Sequence, residues 1–456
     1  MSRLFGTSGV RGVVNEEFEP RMALDLGLAL ATQLGNSGKV VVGRDSRTSG
    51  PLFESCLISG LLSGGCDVVK LGIVPTPVVS FAVRFLGATA GVMVTASHNP
   101  PEYNGVKFYD SSGKAYSGEA EEEVEDIFRR STRRARWRDI GRVSSVNVLP
   151  DYVERIVNSV SLTREFKVVV DCANGAGALV TPQLLRRLGC KVVTLNSHLS
   201  GFFPGHLPEP TADNLRDLCA TVRSIGADLG LAHDGDADRI AAVDERGRMV
   251  EWDRLLALAS AHAVRESGRK VVTTVDASRV VDEFVTAAGG ELIRTKVGDV
   301  NVLRAMEEHG STFGGEPSGS WIWADINPCP DGPLSGVRIL ELLDRAGVPF
   351  SKLVDEVPSY PVVRAKVECR NEEKERVMKA VEERFRHVFG DVREVLTVDG
   401  VRLTLEDGSW VLIRPSGTES YIRITAEADD EKRAESLTEM AGELIRQSRE
   451  VIKIKG

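Results

Sequence analysis

Three aspartates occupy alternate positions in the short segment Asp234–Arg239, which reads Asp-Gly-Asp-Ala-Asp-Arg. Carboxylates this close repel one another unless a cation lies between them. Ligation by oxygen alone suits a hard divalent ion such as Mg²⁺. An EF-hand loop is excluded, because its sixth position needs glycine and Arg239 stands there. Asp234, Asp236 and Asp238 are therefore candidate metal ligands, and a solvated acidic turn is the alternative.

A serine stands in the segment Thr95–Pro100, directly after the apolar run Ala90–Val94. In open α/β sheets, ligands collect just beyond the carboxyl ends of the strands, so Ser97 is a candidate nucleophile or phosphoryl carrier. The Gly-x-Ser-x-Gly pattern of a hydrolase elbow is missing. The sequence position of His98, next to Ser97, does not by itself make it a base. A plain strand-end turn is the alternative.

A glycine-rich segment, Gly314–Ser320, carries one carboxylate and two hydroxyl groups. Glu316 and Ser318 have the side chains that would hydrogen-bond the hydroxyl groups of a sugar. Taken alone, the segment also fits an ordinary Gly/Pro/Ser loop.

A fourth segment, Arg414–Ser420, lies between two strand-like runs. The guanidinium of Arg414, the hydroxyls of Ser416 and Thr418, and the backbone opened by Gly417 would form a phosphate cradle. It is not a Walker loop, because the Gly-Lys-Ser/Thr sequence is missing. An ordinary hairpin connection is the alternative.

The elements that must position these loops form a repeated pattern. A β-branched run, a helix-length connection and a second apolar run occur three times, starting at Lys39, Lys167 and Lys270. A connection of that length predicts parallel strands within each unit. In the tail, Asp-Gly pairs at 399–400 and 407–408 predict antiparallel hairpins. The predicted fold is α/β, with three similar mixed-sheet domains at 1–150, 151–252 and 253–361 and a smaller α+β domain at 362–456.

Composition narrows the class of protein. The 456 residues carry a formal net charge of −9, whereas a nucleic-acid binder is usually basic, so no nucleic-acid partner is expected. No apolar run reaches the roughly 18 residues of a membrane span, and no signal peptide is visible. The seven cysteines are scattered and form no C-x-x-C pair, which favours reduced thiols in a cytoplasmic protein.

Together and in this order, the four segments resemble those of the α-D-phosphohexomutase superfamily over essentially the whole chain. The matching residues are Thr95–Pro100, Asp234–Arg239, Gly315–Ser320 and Arg414–Glu419. The family has three similar α/β domains and a fourth, TATA-binding-protein-like domain. An N-terminal match over Phe5–Gly12 looks most like phosphoglucosamine mutases, and the run after the glycine-rich segment looks like archaeal relatives.

The resemblance implies an intramolecular phosphotransferase that interconverts hexose 6-phosphates and 1-phosphates, its only expected partners being small sugar phosphates. Ser97 would carry a phosphoryl group, and a hexose 1,6-bisphosphate would be the intermediate and activator. Glucosamine 6-phosphate and 1-phosphate are the expected substrates, and a phosphomannomutase/phosphoglucomutase is the alternative. From other classes, a Mg²⁺-dependent sugar phosphatase and a non-catalytic sugar-phosphate sensor remain open. The oligomeric state is not readable from the sequence.

Residue roles carry over position by position. Asp234, Asp236 and Asp238 would bind Mg²⁺ with an oxygen of the phosphate on Ser97. The transfer site would be lined by Arg11, His98, Lys107 and Arg239. The sugar hydroxyls would be held by Glu316 and Ser318. The substrate's own phosphate would be bound by Arg414, Ser416, Gly417 and Thr418, with Lys296 as a weaker contact.

The resemblance leaves one step unassigned and adds one hypothesis. Many family members have His where this chain has Ser320, and bacterial phosphoglucosamine mutases often have Asp where it has Ser8. A role given to that His cannot be carried over. A desolvated Lys107 near other cations would be a neutral amine and could accept the proton of the reacting hydroxyl.

Overall fold

The computed structural model describes residues 4–6, 9–266, 268–416 and 419–455, with side chains described up to residue 450. These residues form four sheets in chain order, each covered by helices. Three sheets mix parallel and antiparallel strands and the fourth is antiparallel, which confirms the predicted fold class.

The first domain is a six-stranded sheet in the order β1-β5-β4-β2-β3-β6. Its elements are β1 (Val10–Val13), α1 (Pro20–Gln33), β2 (Lys39–Arg44), α2 (Gly50–Ser63), β3 (Asp67–Ile73), α3 (Thr76–Phe85), β4 (Ala90–Val94), β5 (Tyr103–Tyr109), α4 (Gly118–Arg130) and β6 (Val143–Ser145), followed by α5 (Leu149–Val157). All five residues of β4 are buried, because helices cover both faces of the sheet.

The second domain has four strands in the order β10-β9-β7-β8. Its elements are β7 (Lys167–Asp171), a 3₁₀ turn (Ala176–Leu179), α6 (Thr181–Arg187), β8 (Lys191–Leu195), α7 (Arg216–Ile225), β9 (Leu229–Ala232) and β10 (Ala241–Asp244). Strands β9 and β10 are antiparallel, so the loop between them turns back at the carboxyl end of β9.

The third domain has five strands in the order β12-β11-β13-β14-β15. Its elements are α8 (Trp252–Glu266), β11 (Lys270–Thr274), α9 (Arg279–Ala287), β12 (Glu291–Thr295), α10 (Asp299–His309), β13 (Phe313–Gly315), β14 (Trp321–Trp323), β15 (Asn327–Pro330), α11 (Gly332–Ala346) and α12 (Phe350–Asp355).

The three repeated units are confirmed as parallel strand pairs. Lys39 of β2 lies opposite Asp67, Lys167 of β7 opposite Lys191, and Lys270 of β11 opposite Glu291. Buried apolar side chains from all three domains form one continuous core. The loops at the carboxyl ends of their strands are thereby held in fixed relation to one another.

The tail forms a five-stranded antiparallel sheet in the order β16-β20-β19-β18-β17, packed on two helices with a core of its own. Its elements are β16 (Val362–Glu368), α13 (Asn371–Phe389), β17 (Val392–Leu396), β18 (Val401–Leu405), β19 (Trp410–Pro415), β20 (Tyr421–Glu427) and α14 (Glu431–Lys455). Both Asp-Gly pairs join antiparallel strands, as predicted. Among the helices that the structure describes, none is both long and apolar enough to cross a membrane.

Candidate active site

Ser97 lies just beyond the carboxyl end of β4, in the turn that leads to β5. Its backbone has a left-handed φ of 51°, and the Oγ of Thr95 accepts a hydrogen bond from its N–H at 2.8 Å. The residue is only 2% exposed. Its Oγ donates to Oδ2 of Asp234 at 2.6 Å, so the turn aims the hydroxyl at the aspartate-rich loop of the second domain.

The three aspartates of that loop form one buried group between β9 and β10. Carboxylate oxygens from all three lie within 4.8 Å of one another. Burial, and then the charges of Asp238 and Asp236, raise the pKa of Asp234 well above its usual value. Oδ1 of Asp236 is buried and has no hydrogen-bond partner among the residues that the structure describes. An oxygen-only donor set with an orphaned carboxylate oxygen fits a divalent cation such as Mg²⁺.

Lys107 of β5 points into the same group. Its Nζ donates to Oδ2 of Asp238 at 2.6 Å and to Oδ2 of Asp236 at 3.1 Å. Burial lowers the pKa of Lys107, but the two carboxylates outweigh burial and raise the pKa above its usual value. Lys107 is therefore a charged ammonium in this structure, in contrast to the neutral amine expected from the sequence. The expectation counted the neighbouring cations but not the ion pairs across the domain boundary.

Two further predicted residues line the same cavity as Ser97. Nδ1 of His98 lies 3.2 Å from the Ser97 Oγ. Burial, followed by the positive charges of Arg239 and Arg11, lowers the pKa of His98 to about 3, so its ring is neutral at neutral pH. Arg11 lies on β1 opposite Gly105, and its Nη1 donates to Oδ1 of Asn99 at 3.3 Å.

Arg239 closes the aspartate loop and stays charged. Burial lowers its pKa, but Asp234 and Asp238 outweigh burial and raise it. The next residue, Ile240, donates its N–H to the carbonyl oxygen of Gly319 at 3.0 Å, which ties this loop to the glycine-rich loop of the third domain. A Cβ at Gly319, whose φ is 80°, would lie 2.2 Å from the oxygen of Ile240, so only glycine fits there.

The glycine-rich segment turns between β13 and β14 and faces a cavity of about 270 Å³. Oε1 of Glu316 accepts the N–H of Gly298 at 2.7 Å. The cavity brings together residues of three domains: Arg11, Ser97, His98, Asp238, Arg239, Asp276, Val297, Gly298, Asp299, Glu316, Pro317, Ser318 and Ser320. Ser318 and Ser320 thus stand in the same cleft as Ser97.

Two carboxylates of this cavity were not found by the sequence analysis. Asp276 follows β11 and accepts a hydrogen bond from the Thr274 hydroxyl at 2.5 Å, and Asp299 begins α10. Neither residue, nor Glu316, forms an ion pair with a Lys or Arg within the described part of the chain. Burial, and then the charge of Asp299, raise the pKa of Glu316 to about 7. In the sequence, Asp276 and Asp299 are marked as site residues only by their positions after strands, and many surface aspartates share such positions.

The predicted phosphate cradle lies at the end of β19. Nε of Arg414 lies 2.8 Å from Oδ2 of Asp399, and Ser416 is buried, with its backbone N–H donating to the oxygen of Tyr421. Gly417 and Thr418, which complete the predicted cradle, lie outside the described residues. Lys296 is exposed after β12 and does not line the cavity that Ser97 faces.

Arg414 also lines a second cavity, of about 390 Å³, on the open face of the C-terminal sheet. Three more cations line it: Arg364 and Lys366 of β16 and Arg423 of β20. We call the surface formed by these four cations the basic face. Asp276 borders both cavities, so the basic face extends the cavity that Ser97 faces, in the direction away from Ser97. Alternation along β16 was a signal for this face, because residues two apart on a strand point to the same side.

Comparison with known proteins identifies the class of enzyme. Residues 2–135, 150–247 and 251–360 match phosphoglucomutase/phosphomannomutase α/β/α domains I, II and III, and residues 361–443 match the C-terminal domain. The chain therefore belongs to the phosphoglucomutase/phosphomannomutase family, the phosphohexomutases, as the sequence resemblance indicated.

Within this family, the chain is an intramolecular phosphotransferase similar to phosphoglucosamine mutases. The probable phosphoglucosamine mutase of Methanopyrus kandleri is 50% identical over 456 residues, covering 99% of this chain and 100% of that protein. The one of Methanothermobacter thermautotrophicus is 49% identical over 438 residues, or 96% of each chain. A phosphoglucomutase/phosphomannomutase family protein from Burkholderia thailandensis superimposes with a TM-score of 0.87, at 30% identity over 98% of each chain.

Proposed function

We propose that the enzyme interconverts glucosamine 6-phosphate and glucosamine 1-phosphate through a phosphoserine at Ser97 and a 1,6-bisphosphate intermediate. The observation that carries this proposal is the 2.6 Å hydrogen bond from Ser97 to Asp234. Ser97 lines a cavity that the glycine-rich segment also lines. The hydroxyl and the aspartates come from different domains, so they lie close together only when the domains are packed against each other.

The reaction has two mirrored halves. In the first, the bond between phosphorus and the Ser97 Oγ breaks while a new one forms to the free sugar hydroxyl, whose proton is released. The bisphosphate then turns end for end, and its other phosphoryl group returns to Ser97. One transfer site and one distal phosphate clamp therefore serve both halves. Such transfers depend mainly on positioning and on neutralising the oxygens of the phosphoryl group.

The charged side chains at the transfer site match this demand. Mg²⁺ held by Asp234, Asp236 and Asp238 would neutralise phosphoryl oxygens. Arg239 and Arg11 border the same cavity and would face these oxygens directly. The ammonium of Lys107, buried against two of the aspartates, would hold their charge in place. At the other end, Arg414 and Ser416, with Gly417 and Thr418, would hold the substrate's own phosphate.

We propose glucosamine phosphate as the substrate because of the carboxylates that line the cleft. Asp276, Asp299 and Glu316 line the cleft and form no ion pair with a Lys or Arg among the described residues, and burial, followed by the charge of Asp299, raises the pKa of Glu316. A 2-amino sugar carries an ammonium group that would relieve this repulsion, whereas glucose, mannose and N-acetylglucosamine phosphates carry none. The names of the archaeal relatives support the same substrate.

Phosphorus NMR tests this function. The enzyme, Mg²⁺ and a trace of hexose 1,6-bisphosphate are mixed separately with the phosphates of glucosamine, glucose, mannose and N-acetylglucosamine. We expect interconversion of the 6- and 1-phosphates, fastest for glucosamine, and its loss in Ser97→Ala. Free phosphate that still forms in Ser97→Ala would show a phosphatase instead. Preferred turnover of mannose or glucose phosphate would keep the mutase chemistry and overturn the choice of sugar.

A further inference from the structure

We infer that Arg47, which the mechanism above does not use, is a positioning residue that fixes the loop carrying Ser97. Arg47 lies in the loop after β2 and is fully buried. Its Nε donates to Oδ2 of Asp45 at 3.1 Å. Its two terminal nitrogens donate to four backbone carbonyls. Three lie in the loop between β4 and β5, which we call the serine loop: those of Ser97 (2.9 Å), Asn99 (2.6 Å) and Pro100 (2.5 Å). The fourth is that of Tyr103 (2.9 Å), the first residue of β5.

These contacts use the whole guanidinium. Arginine has five N–H donors in a planar fork, and Arg47 makes five hydrogen bonds. Three of the carbonyls belong to the irregular turn between β4 and β5, and the fourth, that of Tyr103, belongs to the first residue of β5. Ser97 itself has a left-handed φ of 51°, a strained conformation for a residue other than glycine, which must be held by its surroundings. Lysine has three donors on a point charge and cannot reproduce this fork.

Arg47 also connects the serine loop with the second domain. Its guanidinium carbon lies 5.2 Å from the ring centre of Phe203. A Cβ at Gly235, inside the aspartate loop, would lie 2.7 Å from the carbonyl oxygen of Ser97 and 3.5 Å from the Phe203 ring. The Ser97 carbonyl that Arg47 holds is therefore packed directly against the aspartate loop, and Arg47 sets the separation between the Ser97 Oγ and Asp234.

The role rests on the proposed phosphoserine function of Ser97, and it predicts a specific kinetic signature. Arg47 touches neither the sugar cavity nor the basic face. Its loss should misplace the phosphoryl donor but leave the groups that bind substrate intact. A displacement of about 1 Å costs on the order of 100-fold in rate. A variant that lowers kcat and kcat/KM equally has lost a contribution made in the transition state.

The experiment compares Arg47→Lys and Arg47→Ala with Arg84→Lys. Arg84 is the control: it is more exposed than Arg47 but also donates to a backbone carbonyl, that of Ile326, and to Oδ1 of Asn327, away from the serine loop. We expect kcat to fall about 100-fold in both Arg47 variants with KM changed less than about twofold, and phosphorylation of Ser97 by hexose 1,6-bisphosphate to slow in parallel. The control should keep wild-type kinetics.

Chemical rescue separates the positioning role from a purely structural role, for which guanidinium ion should not restore the rate. Guanidinium ion added to Arg47→Ala below its melting temperature should restore part of the rate, whereas urea at equal concentration should not. A folded Arg47→Lys with wild-type kcat, or a loss confined to KM, would overturn the inference. If Arg47→Ala does not fold, the kcat–KM pattern of Arg47→Lys decides. Absence of mutase activity in the wild type would instead refute the proposed function.

Discussion

We predict that Asp234→Asn has opposite effects on stability without and with Mg²⁺: the variant should be more stable than the wild type without the ion and should gain less stability when the ion is added. The three carboxylates contribute −3 and Lys107 contributes +1, so the group carries −3 + 1 = −2, which one divalent ion would balance. Asp234 thus faces a net charge of −1 from the other three groups, and the positive charge of Arg239 offsets part of it. At 4.8 Å and an effective dielectric constant of about 20, one such repulsion costs about 3.5 kcal/mol. Uptake of a proton by Asp234 and attraction to Arg239 both reduce the repulsion, so we use this figure as an upper bound.

Without Mg²⁺, Asp234→Asn should therefore raise the free energy of unfolding, by at most about 3.5 kcal/mol. The amide oxygen can still accept the hydrogen bond from Ser97. With Mg²⁺ at about 100 times its Kd, the wild type should gain about 2.7 kcal/mol. A hundredfold weaker site in the variant would gain only about 0.4 kcal/mol at the same concentration. Mg²⁺ should thus stabilise the wild type far more than the variant.

Calorimetry with and without Mg²⁺ measures both effects on the unfolding transition. Asp213→Asn is the control, because its side chain is exposed in the same domain and its one ion pair within the described residues is with Arg216. It should change neither transition. A Mg²⁺-induced gain in Asp234→Asn as large as that of the wild type would refute the assignment of Asp234 as a ligand. A metal-free variant less stable than the wild type would refute the electrostatic argument.

Three further outcomes are expected. Lys107→Met removes the cation that pairs with Asp236 and Asp238 and should therefore lower turnover strongly, as phosphorus NMR would show; wild-type turnover would remove Lys107 from the mechanism. Asp299→Asn removes a negative charge beside Glu316, so Glu316 should ionise below a pKa of about 7 in a ¹³C-carboxyl NMR titration, and an unchanged value would contradict the placement of these charges. Trp410→Phe removes the 2.8 Å hydrogen bond to the buried Glu427 and should cost about 2 kcal/mol in urea unfolding, whereas a neutral effect would show that water replaces it.

The sequence predicted the architecture where the signals are local. Each β-branched run and its partner lie within one strand–helix–strand unit, so residue types alone indicated the parallel pairs that start at Lys39, Lys167 and Lys270. The hairpins at 399–400 and 407–408 depend on two residues each, and the glycine in both has a left-handed φ. Short-range steric preferences decide such features, and a single sequence reports them directly.

Features that depend on how domains pack were not predicted. Arg47 stands 50 residues before Ser97 and looks like any polar loop residue until the two loops are in contact. The charge state of Lys107 was predicted wrongly for the same reason, because its two carboxylate partners lie 129 and 131 residues away in another domain. Asp276 and Asp299 come from separate loops, and only the third sheet brings them to one cavity.

The distribution of charge along the cleft fits a ligand that must bind in two orientations. In the proposed reaction the sugar turns end for end, so each phosphate occupies the basic end at Arg414 in one half and faces Ser97 in the other. A 2-ammonium group then lies at a different point of the cavity in each half. One carboxylate could meet it only once, whereas Asp299 near the transfer site, Glu316 in the sugar loop and Asp276 at the border with the basic face spread negative charge along the path. On this argument, replacing one of the three should slow phosphoryl transfer in one orientation of the bound sugar more than in the other.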